Sequence, residues 1–361
     1  MAPRGAILAL SSAALFGAST PLAKALLEEI DPWLLAGLLY AGAGIGLAIV
    51  EGIGRIARPS GAGEAALSGR GRAWLLAAIG AGGVVGPVLL MTGLGRTPAA
   101  GASLLLNLEG VMTALLAWLI FGEHIGRRIA VGMAAITGGS VALSWQGTAA
   151  LGGVLGPLAI AGACLAWAVD NNISRTLSLA DPVRIALLKG CVAGTVNVLI
   201  ALGLGARWPG PGALTGAAIV GFAGYGVSLV LFVHALRALG TARTAAYFSL
   251  APFLGAALAV VALGEPVTAQ LLVAAACMAL GAWLHLSERH GHTHPHEVVI
   301  HEHRHVHDAH HQHVHAGAEP AGAAHSHAHE HVLLVHRHPH FPDAHHRHAH
   351  GSASPDDPTG M

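Results

Sequence analysis

The most constraining feature of this chain is a succession of apolar runs, each close to twenty residues long, across residues 5–287. About 20 mostly apolar residues cross the hydrocarbon of a bilayer as a helix. Ten runs meet that description, at 5–27, 33–50, 74–94, 99–121, 129–145, 155–173, 185–204, 214–236, 245–263 and 267–284. They lack the alternation of a lipid-facing barrel strand. Links as short as the one around Glu265-Pro266 make neighbouring helices antiparallel. Composition agrees: 11% of residues are charged and 53% hydrophobic, where soluble domains carry roughly 25% charged. So few charges cannot cover a soluble body of this size, which disfavours a soluble multi-domain enzyme. Three cysteines (Cys164, Cys191, Cys277) are too few, and odd in number, for a disulfide scaffold. No basic stripe with interleaved aromatics is present, so nucleic acid is not an expected partner.

Charge is distributed unevenly. Residues 1–287 hold 15 of the 19 Lys+Arg and 10 of the 19 Asp+Glu, a formal +5. Residues 288–361 carry a formal −5 and 23 of the 26 histidines. With the N-terminus on the cytoplasmic side, twelve basic residues fall in inside segments and three (Lys24, Arg96, Arg207) outside. The positive-inside rule then puts both termini in the cytoplasm.

The body also repeats itself. The segment from Leu104 to Glu123 aligns without gaps at an offset of 142. Asn107 falls on Ser249, Glu109-Gly110 on Ala251-Pro252, and Gly122-Glu123 on Gly264-Glu265. Phe16-Gly17 and Lys24 match Trp167-Ala168 and Arg175 at 151, and Asp31-Pro32 matches Asp181-Pro182 at 150. Residues 1–150 and 151–287 therefore read as two five-helix units, with 288–361 a separate tail. The first run has a counterpart inside the chain, which marks it as a retained helix and not a cleaved signal. An odd number of helices per unit inserts the second copy inverted. Inverted repeats are a signature of secondary transporters, whose halves rock about a midplane site.

The segments LNLEGVMTALLAWLIFGE and LAPFLGAALAVVALGE resemble the paired LEP…GE segments of the EamA-type drug/metabolite transporters. The FG…K element near the N-terminus and the WAVDNNISR stretch that opens the second half are similar too. The resemblance covers almost all of 5–287. It implies an all-α inner-membrane carrier of ten helices with both ends cytoplasmic. Gly110 stands where the family has Pro, so a softer helix break is expected in the first half than at Pro252.

Ionisable groups in a bilayer are costly, so each is a functional candidate. Glu109 falls mid-run beside the expected break, where a carboxyl can carry a coupling proton or hold a cationic substrate. Asn107 and Ser249 bring polar groups to the same depth, for the site or for interhelical hydrogen bonds. Tyr247 is a cavity-lining candidate, and Pro252 marks the second break. Asp170 and Asn171 form a polar cluster at the end of the sixth run. Lys189 can neutralise Asp170 or Glu109, bind an anionic substrate, or snorkel to the membrane face. The glycines at 42–46 and 80–83 read as helix-packing signals and not as a phosphate loop.

The tail is low-complexity, without the apolar periodicity of a packed core, and is expected to be disordered. Histidine recurs at every second position: His290, His292, His294, His296; His301, His303, His305, His307; His325, His327, His329, His331. In an extended chain that spacing puts imidazoles on one side, and imidazole suits Zn, Ni and Co. Glu302 and Glu330 are candidates to complete a ligand shell. Protonation below about pH 6 would release metal and carry the tail from −5 toward +18.

These readings converge on a secondary transporter exporting a small organic solute by alternating access, with a metal-binding regulatory tail. No cofactor is required for transport. The rivals are a divalent metal carrier (Ni, Co or Zn) whose tail collects the ion, and a non-transporting membrane metal sensor. An enzyme is not expected, because no nucleophile–base arrangement lies in the body. Expected partners are the lipid bilayer, a small-molecule substrate, divalent metal ions and a second copy of the chain.

Overall fold

The computed structural model describes residues 2–57, 69–121, 126–145, 151–174, 182–239 and 241–287, with 291–296, 300–305, 325–330 and 334–339 in the tail. The body is all helical. The first repeat contains α1 (Ala2–Leu26), α2 (Pro32–Ala57), α3 (Gly69–Ala78), a π-helical segment (Ile79–Val85), α4 (Gly86–Leu94), α5 (Ala99–Leu105), α6 (Leu108–Phe121) and α7 (Arg127–Ser144). The second contains α8 (Leu151–Ser174), α9 (Pro182–Gly203), α10 (Pro211–Gly221), a second π-helical segment (Phe222–Val227), α11 (Ser228–Leu239), α12 (Thr241–Phe248), α13 (Ala251–Leu263) and α14 (Ala269–Leu286).

Among the described residues, nine helical passes are long and apolar enough to cross a membrane. The tenth expected pass is α7, whose 18 residues reach about 27 Å. Arg127 and Arg128 in its first turn lower its mean hydropathy. Bilayer solvation explains the outward face: Ile53, Leu119, Leu199 and Val261 are all exposed, where lipid replaces a protein core.

Local sequence sets the helix ends. The Asp31 carboxylate accepts from Trp33 N at 2.9 Å and Leu34 N at 3.3 Å, and Pro32 opens α2 where its missing N–H costs nothing. This accounts for the first Asp-Pro of the repeated pair. The Thr268 hydroxyl caps α14 by accepting from Leu271 N at 3.1 Å.

Helix packing follows the two-fold relation between the repeats. The packing of α4 on α8 is mirrored by α11 on α1, and that of α6 on α8 by α13 on α1. Two antiparallel pairs of repeat-related helices, α2–α9 and α7–α14, straddle the pseudo-two-fold axis. Small residues permit this closeness. A Cβ on Gly44 would strike Cys191 N, and one on Gly281 would lie 2.6 Å from Gly132 O. Gly42 is tight against Ala218, as the packing reading of residues 42–46 requires.

The symmetry fails at one place. Helix α5 packs along α13, and α2 along α10. Among the described residues the equivalent pairs, α12–α6 and α9–α3, make no comparable contact. Among the described residues, the halves are therefore in closer contact at one end of the bundle than at the other.

In the tail, β1 (Gly291–His296) pairs antiparallel with β4 (Leu334–Pro339), and β2 (Ile300–His305) with β3 (His325–Glu330). A lone two-stranded ribbon is marginal in water, in keeping with a segment that has no core of its own.

Candidate transport site

Two broken helices deliver the site. The run at 99–121 parts at Leu106-Asn107 into α5 and α6, and the run at 245–263 parts at Ser249-Leu250 into α12 and α13. The first break is as complete as the second, although Gly110 replaces Pro. The reason is local: Asn107 Nδ2 donates to Leu104 O at 2.8 Å, and Ser249 Oγ donates to Ala246 O at 2.9 Å. Each repeat partner takes a carbonyl three residues back, so Pro252 is not needed to end α12. Both side chains turn onto their own helix, and Asn107 also approaches Met278 Sδ at 3.9 Å.

Glu109 is the second residue of α6 and half-buried. Its carboxylate accepts from Asn171 Nδ2 at 2.8 Å. Asn171 lies on α8, so this bond joins the two repeats. Next to it, Asn172 Nδ2 donates to Thr113 O at 3.2 Å and to Ala168 O at 2.8 Å. A Cβ on Gly110 would meet nothing within 4 Å, so the absence of Pro at this position is not forced by packing.

Asp170 and Lys189 form an ion pair at 2.5 Å, with side-chain exposures of 13% and 17%. Ser174 closes the triangle. It accepts from Lys189 Nζ at 2.9 Å and donates to Asp170 Oδ1 at 2.9 Å. Of the roles open to Lys189, neutralising Asp170 is the one observed. Glu109 then has neither lysine of the described spans as its partner, because Lys24 Nζ donates to Leu94 O at 2.6 Å.

A row of aromatic rings adjoins these groups. The Gly82 carbonyl, inside the first π-helical segment, accepts from Tyr40 Oη at 3.0 Å and from Trp167 Nε1 at 2.9 Å. A Cβ on Gly82 would overlap Asp170, so only glycine admits that carboxylate. The Tyr40 ring lies 5.7 Å from Tyr225, in the second π-helical segment. Phe16 follows at 5.9 Å from Tyr225, then Phe248 at 5.4 Å from Phe16 and Phe232 at 4.9 Å from Phe248. All five rings are half-buried, and they come from both repeats. Tyr247 is half-buried but is replaced in this row by its neighbour Phe248.

The sequence reading singled out Glu109, Asp170, Asn171 and Lys189, and the structure brings these together. It missed Tyr40, Tyr225, Phe16, Trp167 and the two π-helical segments. The available signal was the paired Gly-rich stretches, residues 80–86 and 221–226, at equivalent places in the repeats. π-bulges are frequent at functional sites.

In the tail, strand register opposes His301 to His329, His303 to His327 and His305 to His325. In the other ribbon, His292 opposes His338 and His294 opposes His336. Glu302 faces Ala328 in register and Glu330 faces Ile300, so both sit one position out of step with the histidines. His296 is in β1 opposite Leu334, while His290, His307 and His331 lie outside the described residues. Among residues whose side chains are described, no group of three or more His, Cys, Asp or Glu is placed to hold a metal.

Two like-folded halves meeting at a polar, aromatic centre within apolar helices define the class: a multi-pass membrane transporter built on an internal repeat. The chain belongs to the EamA-like transporter family, whose model matches residues 3–145 and 154–287. It is similar to an uncharacterized transporter of Methanothermobacter thermautotrophicus, at 29% identity over 292 residues, 78% of this chain and 85% of that one. A crystal structure 22% identical to the chain superposes with a TM-score of 0.57, covering 78% of this chain and 95% of the other, and shows the same fold.

Proposed function

We propose that the protein exports a small organic solute bearing a positive charge, by alternating access between its two repeats. The observation that carries this reading is the Glu109–Asn171 bond, made across the repeats while Lys189 is engaged by Asp170. An anionic solute would meet a carboxylate with no lysine at hand. An ammonium group would find Glu109 and a row of aromatic faces, which attract cations by about 0.5–2 kcal/mol each. Protonation of Glu109 and solute binding are then competing events, and that competition couples proton entry to solute exit. The membrane is a bacterial-type inner membrane with both termini cytoplasmic, on the strength of the twelve-to-three distribution of basic residues.

The test is transport of radiolabelled primary amines by purified protein in liposomes, across a pH gradient. Glu109→Gln, which fixes the side chain in a neutral form, is expected to abolish gradient-driven movement and to weaken amine binding and exchange as well. Wild-type-like rates and pH profile in Glu109→Gln would remove the residue from the mechanism.

The tail is proposed to bind divalent Zn, Ni or Co as a regulatory element. The opposed His pairs of the two ribbons support this, because opposed residues lie about 5 Å apart. Isothermal titration of the full-length protein against its 1–287 truncation tests the claim. Heat confined to the full chain at neutral pH, and lost below about pH 6, is the expected result.

A further inference from the structure

The duplicated Gly-Glu at the end of each broken helix pair has a visible task in one of its two copies. Gly264 ends α13 with a left-handed backbone, φ 67°, a conformation glycine adopts without Cβ strain. The chain thereby turns Glu265 back toward the first repeat. Its two carboxylate oxygens accept from Ala99 N at 2.5 Å and Ala100 N at 2.7 Å, the opening residues of α5. Lys24, at the end of α1, lies within electrostatic reach of Glu265 and donates to the last carbonyl of α4. Helix ends from both repeats therefore gather around Glu265 and Lys24. Directly beneath, the halves are tight: a Cβ on Gly17 would strike Ala251 O, and one on Gly255 would lie 2.6 Å from Gly17 O and 2.9 Å from Ser103 Oγ.

The repeat relation provides sequence counterparts for these parts. Glu265 corresponds to Glu123 and Lys24 to Arg175, both outside the described residues, while α5 corresponds to α12 and α13 to α6. Yet α5 packs along α13, whereas α12 and α6 make no comparable contact among the described residues. The same chemistry is thus engaged at one end of the bundle while the equivalent helices stand apart at the other.

We infer that Glu265 is the latch that holds one end of the transport pathway shut. The carboxylate suits this role. It takes two adjacent N–H groups at a helix start, where the helix dipole adds attraction, and it is attached to the other half of the protein. Release costs two hydrogen bonds that water replaces once the end opens, so the latch is strong enough to favour a state and weak enough to exchange. The inference rests on the two-repeat transporter reading but not on the nature of the solute.

The test uses the full-length protein with Cys164, Cys191 and Cys277 replaced by Ala and a single reporter, Ser103→Cys. Ser103 is buried, one turn into α5 below the latch. Its labelling by a membrane-impermeant maleimide is timed in intact cells and in inverted vesicles, which identifies the face that Glu265 guards. Glu265→Gln retains a side-chain oxygen but sets an amide N–H against a backbone N–H. It is expected to speed labelling from that face by about tenfold, equivalent to about 1.4 kcal/mol. Labelling of the same cysteine from the opposite face is expected not to speed up, because the latch is released at one end only. A generally loosened or misfolded protein would instead label faster from both faces. Unchanged labelling in Glu265→Gln, or acceleration from both faces, would overturn the latch. Failure to move amines in liposomes would instead count against the solute reading and leave this result standing.

Discussion

Asp170 and Lys189 face one another from α8 and α9 with most of their surface out of contact with solvent. Removing one partner of a buried pair strands the other charge, at about 3–5 kcal/mol. Lys189→Ala is therefore expected to lower thermal stability in detergent sharply, and Asp170→Asn with Lys189→Met to recover most of the loss. Equal destabilisation by the single and double variants would mean the pair does not act as a unit. Gly82 makes a steric counterpart: Gly82→Ala places a methyl against the Asp170 carboxylate. Overpacking of this kind typically costs about 1–3 kcal/mol, so reduced transport at near-normal membrane insertion is the expected outcome, read by uptake and surface labelling. At this scale the sequence was informative about charge and less so about aromatics, where it offered Tyr247 alone. A carboxyl or ammonium in an apolar run stands out because lipid penalises it. Tyr40, Tyr225 and Phe16 do not stand out. An aromatic ring in a membrane helix reads as packing or anchoring until its neighbours from the other repeat are known, and those neighbours are up to 232 positions away (Phe16 and Phe248).

At the scale of elements, apolar run length located every span within a few residues, because bilayer thickness leaves little freedom. The helix breaks were located but their strength was misjudged, since Gly110 was weighed against Pro252 while Asn107 and Ser249 determine both ends. The π-helical segments could not be read from periodicity; only the paired Gly-rich stretches, residues 80–86 and 221–226, marked their places. For the tail, strand register yields a prediction that His content cannot. The pair His303–His327 lies between two other His pairs, so any set built from two neighbouring pairs includes it. Exchanging His303 with Arg304, and His327 with Ser326, keeps composition constant and moves the central pair out of step. The fourfold variant is expected to bind Ni or Zn at least about tenfold more weakly than wild type by calorimetry, about 1.4 kcal/mol. Equal binding would mean that a freely coiling chain, and not the ribbon, supplies the ligands.

For the whole molecule, the repeat offset disclosed the two-fold plan, and the helix ends show how that plan is held. Gln270 Nε2 donates to Ala142 O and Trp145 O at the end of α7. Its repeat counterpart Arg128 donates to Ser287 at the end of α14 at 3.1 Å and stacks over Trp283. The α7–α14 pair is thus pinned at both ends by equivalent residues, a fixed strut against which the broken helices can move. Which end of the pathway is closed could not be read from the chain, because the sequence carries the closing chemistry twice and so encodes both states at once. What the sequence does commit to is inversion. Arg127, at the start of α7, and Val267, just before α14, occupy equivalent links, and both are exposed. An odd number of passes per repeat requires those links to lie on opposite sides of the membrane. Arg127→Cys and Val267→Cys, each in the background lacking native cysteines, are expected to react with an impermeant maleimide from opposite sides, Val267→Cys in intact cells and Arg127→Cys only in inverted vesicles. Reaction of both from one side would mean that the repeats run parallel, and a parallel pair offers no mirror-related state for the pathway to alternate into.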